Sequence, residues 1–243
     1  MSEKIAAQMR ADILSGELHP GTRLPSIGDL AKKNGVAVST MQRALGILKD
    51  ESLLTSQPGV AVQVRGKDVL TIRPDEYMKP ADSGKPYAWI TQAARRGQTG
   101  ANRIVDVSEV RAPRRVAAAY GLPEGGTVIA RARVGLLDNE PAEYAVSYYQ
   151  VETARGTRLA DRRRIPGGSP TLLATLGLPL RGQHVDIATR VATVEEYELL
   201  ELPGNPPVLE AFCVAFTDDQ KPVEVTVLIK PGHLFRMGFT VSA

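Results

Sequence analysis

The chain has 243 residues, of which 43% are apolar and 23% charged, values that exclude wholesale disorder, a collagen-like repeat and a long coiled coil. One cysteine, Cys213, excludes a disulfide framework and a cysteine-based zinc site, and no apolar run reaches bilayer length, so a cytoplasmic protein with no cofactor, metal or membrane partner is expected. The net charge of +3 sits in residues 1–67, which hold nine basic and six acidic groups, while the other 176 residues hold 21 of each; this local excess points to a polyanion, although a solvated surface gives the same balance.

The first elements read as helices. Ile5, Met9 and Ile13 recur every four residues, and Gly16 ends the run as a C-cap glycine does. Leu18-His-Pro-Gly21 is a turn. Ser26 caps a second helix with Asp29 in its first turn and Leu30 and Ala31 facing inward, and Asn34-Gly35 stops it. A third helix starts near Val38, with Met41, Ala44, Leu45 and Leu48 on one face. Two β-prone runs, Leu53–Thr55 and Val60–Val64, flank Ser56-Gln57-Pro58-Gly59 as a hairpin. This order is that of a winged helix-turn-helix, whose third helix fits a major groove; a three-helix protein-interaction domain has the same order.

The wording of the segment is more specific. Gly16-Glu-Leu18-His-Pro20-Gly21-Thr-Arg23-Leu24-Pro25-Ser26, Leu30-Ala31, Asn34-Gly35-Val36, Ser39-Thr40, Arg43-Ala44-Leu45, Leu48 and Glu51-Ser-Leu53-Leu54 resemble the DNA-binding domain of GntR-family transcriptional regulators. The resemblance implies a homodimer on an inverted-repeat, double-stranded DNA operator, touched through Arg23, Ser26, Ser39, Thr40, Gln42, Arg43, Gln57 and Gly59. Arg43 suits guanine or phosphate and Gln42 suits adenine; a buried role for Arg43 against the linker is the alternative. The chain departs from the family at Gly28, where an arginine commonly contacts DNA, at Ala37-Val38 in place of Ser-Arg, at Gln42 in place of arginine, and at Gly59-Val60-Ala61 in the wing. Fewer cations predict weaker non-specific binding and a shallower salt dependence.

The domain expectation is a DNA-binding domain over 1–66, a linker over 67–85 with an extended piece at Val69–Ile72, and an effector-binding and dimerisation domain over 86–243. In the last, Ile104–Val110 reads as a strand and Arg114–Tyr120 as a helix stopped by Gly121. Val128–Leu137 and Ala142–Val151 read as a hairpin around Asp138-Asn139. Glu152–Leu159, Pro170–Leu176 and Glu195–Leu202 read as helices, and Val185, Ile187, Thr189 and Val191 as a half-buried strand. Val208–Phe216 and Val223–Lys230 form a second hairpin, with Phe235–Val241 as a last strand. The fold class is α+β around an antiparallel sheet.

This order, with Ala117 to Leu122-Pro123-Glu-Gly125, Arg131-Ala-Arg133, Asn139-Glu-Pro141 to Ser147-Tyr148 and Lys221-Pro-Val-Glu224, is similar to the chorismate-lyase-like (UTRA) effector domain of the HutC-type branch of the GntR family. The resemblance implies a pocket between two halves of the sheet for a small-molecule effector, an anion by the chemistry of its arginines. Arg131 and Arg133 share a strand face and suit a phosphate, sulfate or carboxylate, unless they are a salt-bridged surface pair. Glu143 and Glu224 suit ligand hydroxyls or amines, Ser147 and Tyr148 a ligand hydrogen bond, and Trp89 and Thr91 fall on a ligand-side loop in relatives. Ala145 stands where sugar-phosphate sensors carry glutamate, and Lys230 where they carry an aromatic residue, so an amino-sugar phosphate is not carried over.

The functional expectation is a repressor released from a palindromic operator by its effector. One alternative is a plasmid- or nucleoid-associated repressor without ligand. The other is a chorismate-lyase-like enzyme, for which neither a nucleophile elbow nor a metal-spaced histidine set is present; Cys213 in its apolar run reads as packing.

Overall fold

The computed structural model describes residues 1–56, 61–66, 69–82 and 85–239. The chain forms two compact units. One holds Met1–Leu70 with Leu202–Pro207 and Gly232–Arg236; the other holds Thr71–Glu201, Val208–Pro231 and the segment from Met237.

In the first unit, helix α1 spans Ser2–Ser15 and ends at Gly16, whose left-handed backbone (φ 85°) suits glycine. Helix α2 spans Ile27–Lys33; the Asp29 amide donates to Ser26 Oγ at 3.1 Å, which closes its first turn. Helix α3 spans Val38–Asp50 and buries Met41, Ala44, Leu45 and Leu48 against Ile5, Ala6, Met9, Leu30 and Ala31. Arg10 on α1 donates to both carboxylate oxygens of Glu51, just past α3. Strands β1 (Leu54–Thr55) and β2 (Gln63–Val64) pair antiparallel, the pairing expected of a wing. Gln57 and Gly59 lie outside the described residues.

In the second unit the central element is a six-stranded antiparallel sheet. A short strand, β3 (Leu70–Ile72), comes first, followed by a 3₁₀ turn at Pro74–Tyr77. The sheet strands are β4 (Gly100–Arg111), β5 (Thr127–Leu137), β6 (Glu140–Gln150), β7 (Gly182–Arg190), β8 (Val208–Phe216) and β9 (Pro222–Pro231), in the order β4-β5-β6-β9-β8-β7. The β5–β6 turn puts Asp138 and Asn139 at φ 53° and 66°, the left-handed pair of a tight hairpin. Helix α5 (Arg114–Tyr120) covers one sheet face, where Val116, Val128, Phe212 and Val225 pack.

Several sequence expectations change. Residues Ala88–Arg95 form a helix, α4, so Trp89 and Thr91 sit on a helix and not on a loop. The single helix expected over Glu152–Leu159 is two pieces, α6 (Val151–Ala154) and a 3₁₀ turn at Arg158–Ala160, because Gly156 at φ 75° breaks it. Helix α7 is Ser169–Thr175 and helix α8 is Val194–Leu199. Strand β7 is an edge strand with Ile187 exposed rather than half-buried. The last strand, β10, is Phe235–Met237.

Helix α8 starts with a reciprocal cap: the Glu196 amide donates to Thr193 Oγ1, and the Thr193 amide donates to the Glu196 carboxylate. Thr193→Ala is therefore expected to cost about 1 kcal/mol, measured as a lower denaturant midpoint at unchanged slope.

Candidate functional site

Two groups of residues carry polar chemistry. In the first unit Arg23, Ser26, Ser39, Gln42 and Arg43 are exposed and Thr40 is half-buried. The exposure of Arg43 leaves its outward reading. The Ser26 hydroxyl donates to Asp29 Oδ2 at 2.7 Å while accepting from the Asp29 amide. Ala37 precedes α3 and its side chain supplies no cap, so the first amides of the helix have no side-chain acceptor. Gly28 has only Ser26 Oγ, at 3.8 Å, near the place a Cβ would occupy.

In the second unit the strand register builds the site. Arg131 on β5 lies opposite Ser147 on β6, Ser147 opposite Thr226 on β9, and Thr226 opposite Cys213 on β8. Directly opposed residues share a face, so these side chains line one side of the sheet. Arg133 Nη1 donates to Ser147 Oγ at 3.1 Å, Ser147 and Thr226 hydroxyls meet at 2.8 Å, and Thr226 Oγ1 donates to Glu224 Oε1 at 3.1 Å. Each hydroxyl has one proton. Thr226 spends its own on Glu224, so Ser147 donates to Thr226, and the chain runs one way from guanidinium to carboxylate. Glu224 also accepts from Tyr149 at 3.0 Å and from Ser169 at 3.1 Å.

Glu143 and Lys230 form a second buried pair, with Lys230 only 1% exposed. Arg133 Nη2 lies 3.8 Å from Glu143, and the Lys230 ammonium lies 5.0 Å from the centre of the Trp89 ring. Burial works against charge on Glu143, but Lys230 and Arg133 outweigh it and hold the carboxyl below its ordinary range. Burial opposes the charge on Arg133 too, but the surrounding Tyr87, Glu143, Tyr149 and Glu224 raise its pKa above that of a free arginine.

Two adjoining cavities open on this face. One, of about 70 Å³, is bordered by Glu143, Glu224, Thr226 and Lys230 on the sheet and roofed by Tyr77 and Met78. The other, of about 250 Å³, is bordered by Arg131, Arg133 and Arg164 and has no carboxylate in its wall. Tyr87, Arg133 and Ser169 belong to both. The first lies across the seam where β6 and β9 join the two halves of the sheet.

The expected residues divide. Arg133, Glu143, Glu224 and Lys230 meet in the first cavity, with Ser147 buried directly behind it. Lys230 and Glu143 neutralise each other. Arg131 shares the face of Arg133, but its guanidinium donates to the carbonyls of Arg158, Asp161 and Arg163. Tyr148 is corrected: strand alternation turns it to the opposite face, beside α5, and Tyr149 points toward Glu224 instead. Trp89 is buried and donates from its indole to the Leu136 carbonyl at 3.1 Å; Thr91 donates to the Pro86 carbonyl at 3.2 Å, and neither borders the two cavities. Sequence reasoning missed Tyr77, Tyr87, Tyr149, Ser169, Thr226 and Arg164. Thr226 was accessible, since it lies two residues from Glu224 on the same strand face; Tyr77 and Ser169 reach the site only through folding.

The Glu143–Lys230 pair sets two expected outcomes. Glu143→Gln leaves a buried ammonium without its carboxylate and costs about 3–5 kcal/mol, while Glu143→Leu with Lys230→Met recovers most of it. Because the native carboxyl is depressed, its stabilising share is complete above the ordinary glutamate value of 4.5 and is lost as pH falls through the lower native value. Melting curves from pH 7 to pH 3 should show this loss in the native chain and not in the double variant.

Comparisons with known proteins agree with both units. The UTRA domain model matches residues 95–236, and the model of bacterial regulatory proteins of the gntR family matches residues 1–64. An HTH-type transcriptional regulator of Streptomyces coelicolor is 31% identical, with the match covering 98% of this chain and 90% of that one. The HTH-type transcriptional repressor NagR of Bacillus subtilis is 24% identical over 85% of this chain and 80% of its own. The crystal structure of PhnF from Mycobacterium smegmatis superposes with a TM-score of 0.60 at 16% identity, covering 98% of this chain and all of the other, which establishes the shared fold. The chain belongs to the GntR family of bacterial regulatory proteins, as a helix-turn-helix transcriptional regulator with a carboxy-terminal UTRA domain.

Proposed function

We propose that the chain is a HutC-type dimeric repressor that leaves a palindromic operator when a small molecule occupies the paired cavities of its second unit. The directional polar chain from Arg133 to Glu224 carries this reading: it holds Arg133, Thr226 and Glu224 in fixed geometry at the wall of a cavity, tied together by Ser147 behind it. Residues 1–66 serve as the DNA-binding domain, 67–85 as the connection and 86–243 as the effector and dimerisation domain. The exposed Arg23, Ser26, Ser39, Gln42 and Arg43, with Thr40, face DNA, and the family resemblance adds Gln57 and Gly59. An anionic group of the effector lies between Arg131, Arg133 and Arg164, and its body reaches toward Glu224. Lys230 meets the occupant in the cavity wall beside Glu143, and Trp89 senses it through Lys230. Exposed Ile187, Val194 and Tyr197 on β7 and α8 supply apolar surface for pairing with a second copy.

Catalysis has little support. Burial pushes the Cys213 thiol up to about 12, and the nearby Glu224 and Glu143 add to the rise, so it stays protonated at neutral pH. Among the described residues no cluster of three metal-ligating side chains occurs.

The test is footprinting of the full chain on its own upstream DNA, followed by a screen of anionic metabolites for release of that complex. Trp89, the one tryptophan, reports occupancy through its emission. Binding that never responds to any ligand would favour the ligand-free repressor. Arg164→Ala and Glu224→Gln are expected to keep operator affinity and to weaken the ligand response about tenfold or more, the scale of one charge-assisted hydrogen bond. A variant that loses operator binding instead points to a structural role.

The space at Gly28 allows a further test. Gly28→Arg should steepen the plot of log affinity against log salt by about 0.9 for each further phosphate that the new guanidinium neutralises, read by fluorescence anisotropy across a salt series.

A further inference from the structure

Val38 is the first residue of α3 and is 49% exposed. The other large apolar side chains of α2 and α3 (Ile27, Leu30, Met41, Leu45, Ile47 and Leu48) are buried or partly buried in the head's core. The helical period explains the difference. Met41, Ala44, Leu45 and Leu48 form the inward stripe, and Val38 lies at its border, one turn before the exposed Gln42. Ser39 and Arg43 continue the outward surface beside them. The α3 part of the patch that meets DNA on the reading above therefore begins with an isopropyl group and a carboxamide, and holds one exposed cation, Arg43.

Chemistry assigns partners to these groups. In the major groove thymine is the base whose edge carries a methyl group, and apolar side chains read it by contact. Val38 has no polar atom to offer any other base. Exposure of its methyls to water is unfavourable in the free chain and is relieved when they meet a thymine methyl. Gln42 stands about 6 Å further along the helix, at 1.5 Å per residue, or about two base steps at 3.4 Å. Its amide both donates and accepts, as the adenine N6 and N7 edge requires.

We propose that Val38 reads a thymine methyl in each operator half-site and that Gln42 reads an adenine about two steps away. This deepens the DNA-binding reading and rests on it. An operator selected from random duplex DNA with the full chain provides the substrate. Each thymine is then replaced singly by uracil, which lacks only the methyl, and affinity is measured for the native chain and for Val38→Ala. Alanine is a strong helix former at an exposed site, so the variant is expected to fold, and circular dichroism checks this.

The expected result is one thymine per half-site whose replacement weakens the native chain about fourfold, the equivalent of about 0.8 kcal/mol for one methyl group. Val38→Ala should be indifferent to that replacement. The proposal is overturned if every uracil substitution is silent in the native chain, if the sensitive one affects Val38→Ala equally, or if selection returns no preferred sequence while DNA still binds. Absence of any DNA binding would sink the underlying reading as well.

Discussion

The polar chain linking Arg133 to Glu224 through Ser147 and Thr226 sets the terms for the second unit. Charges taken out of water cost several kcal/mol each unless partners satisfy them. Here the partners come from the β5–β6 hairpin and from β9, with Ser147 and Thr226 lying 79 residues apart in sequence. A slip of one residue in any of these strands would send its hydroxyl or charge to the opposite face. The register of the central strands and the polar site therefore require each other. The Glu143–Lys230 pair fixes the same register two rows further along that face, past Ala145 opposite Leu228, because Tyr144 opposite Ile229 places its neighbours side by side. Gly135 belongs to this arrangement: a Cβ there would stand 3.2 Å from the Trp89 ring and from Glu143 Cβ, so glycine lets the indole close over the pair.

Local chemistry made much of the fold legible. The α1 stripe, the Ser26 cap and the left-handed Asp138-Asn139 turn are each written within a few residues, and each forms as read. Helix α4 was not legible. It has two turns, no capping side chain at Tyr87, and a buried Gln92 that interrupts its apolar stripe. Only the folded chain shows why Gln92 is tolerated inside: Tyr77 donates to its carbonyl oxygen at 2.9 Å, and its amide donates to Glu76. The site follows the same rule. Arg133 and Glu224 stood out by motif, whereas the pairing of Glu143 with Lys230 joins positions 87 residues apart and has no local signature.

The head shows how a small charge can still suit a DNA partner. Its packing is complete without the outward residues: Arg10 closes on Glu51, and the apolar stripes of α1, α2 and α3 fill the interior. The outward face carries Gly28, Val38 and Gln42, positions at which the family resemblance implies arginine. Loss of cations lowers the sequence-independent part of the affinity, so a larger share of the remaining energy comes from base contacts. On the proposed reading, affinity then falls less steeply with salt than in an arginine-rich head.

On the proposed reading, coupling between effector and operator would run through the cavity roof. Pro74, Tyr77 and Met78 border the carboxylate-lined cavity, and they belong to the segment that leads directly from the wing and β3. A ligand shifts the heads only if it binds one position of this roof more tightly than another. A tenfold change in operator affinity needs about 1.4 kcal/mol of such preference. One intramolecular hydrogen bond contributes about 0.5–1.5 kcal/mol net, and two side-chain bonds hold the roof to α4, from Tyr77 to Gln92 and from Gln92 to Glu76. On the proposed reading, an occupant of the cavity that exchanged one or both of these bonds for its own contacts would supply a preference of the size the signal needs.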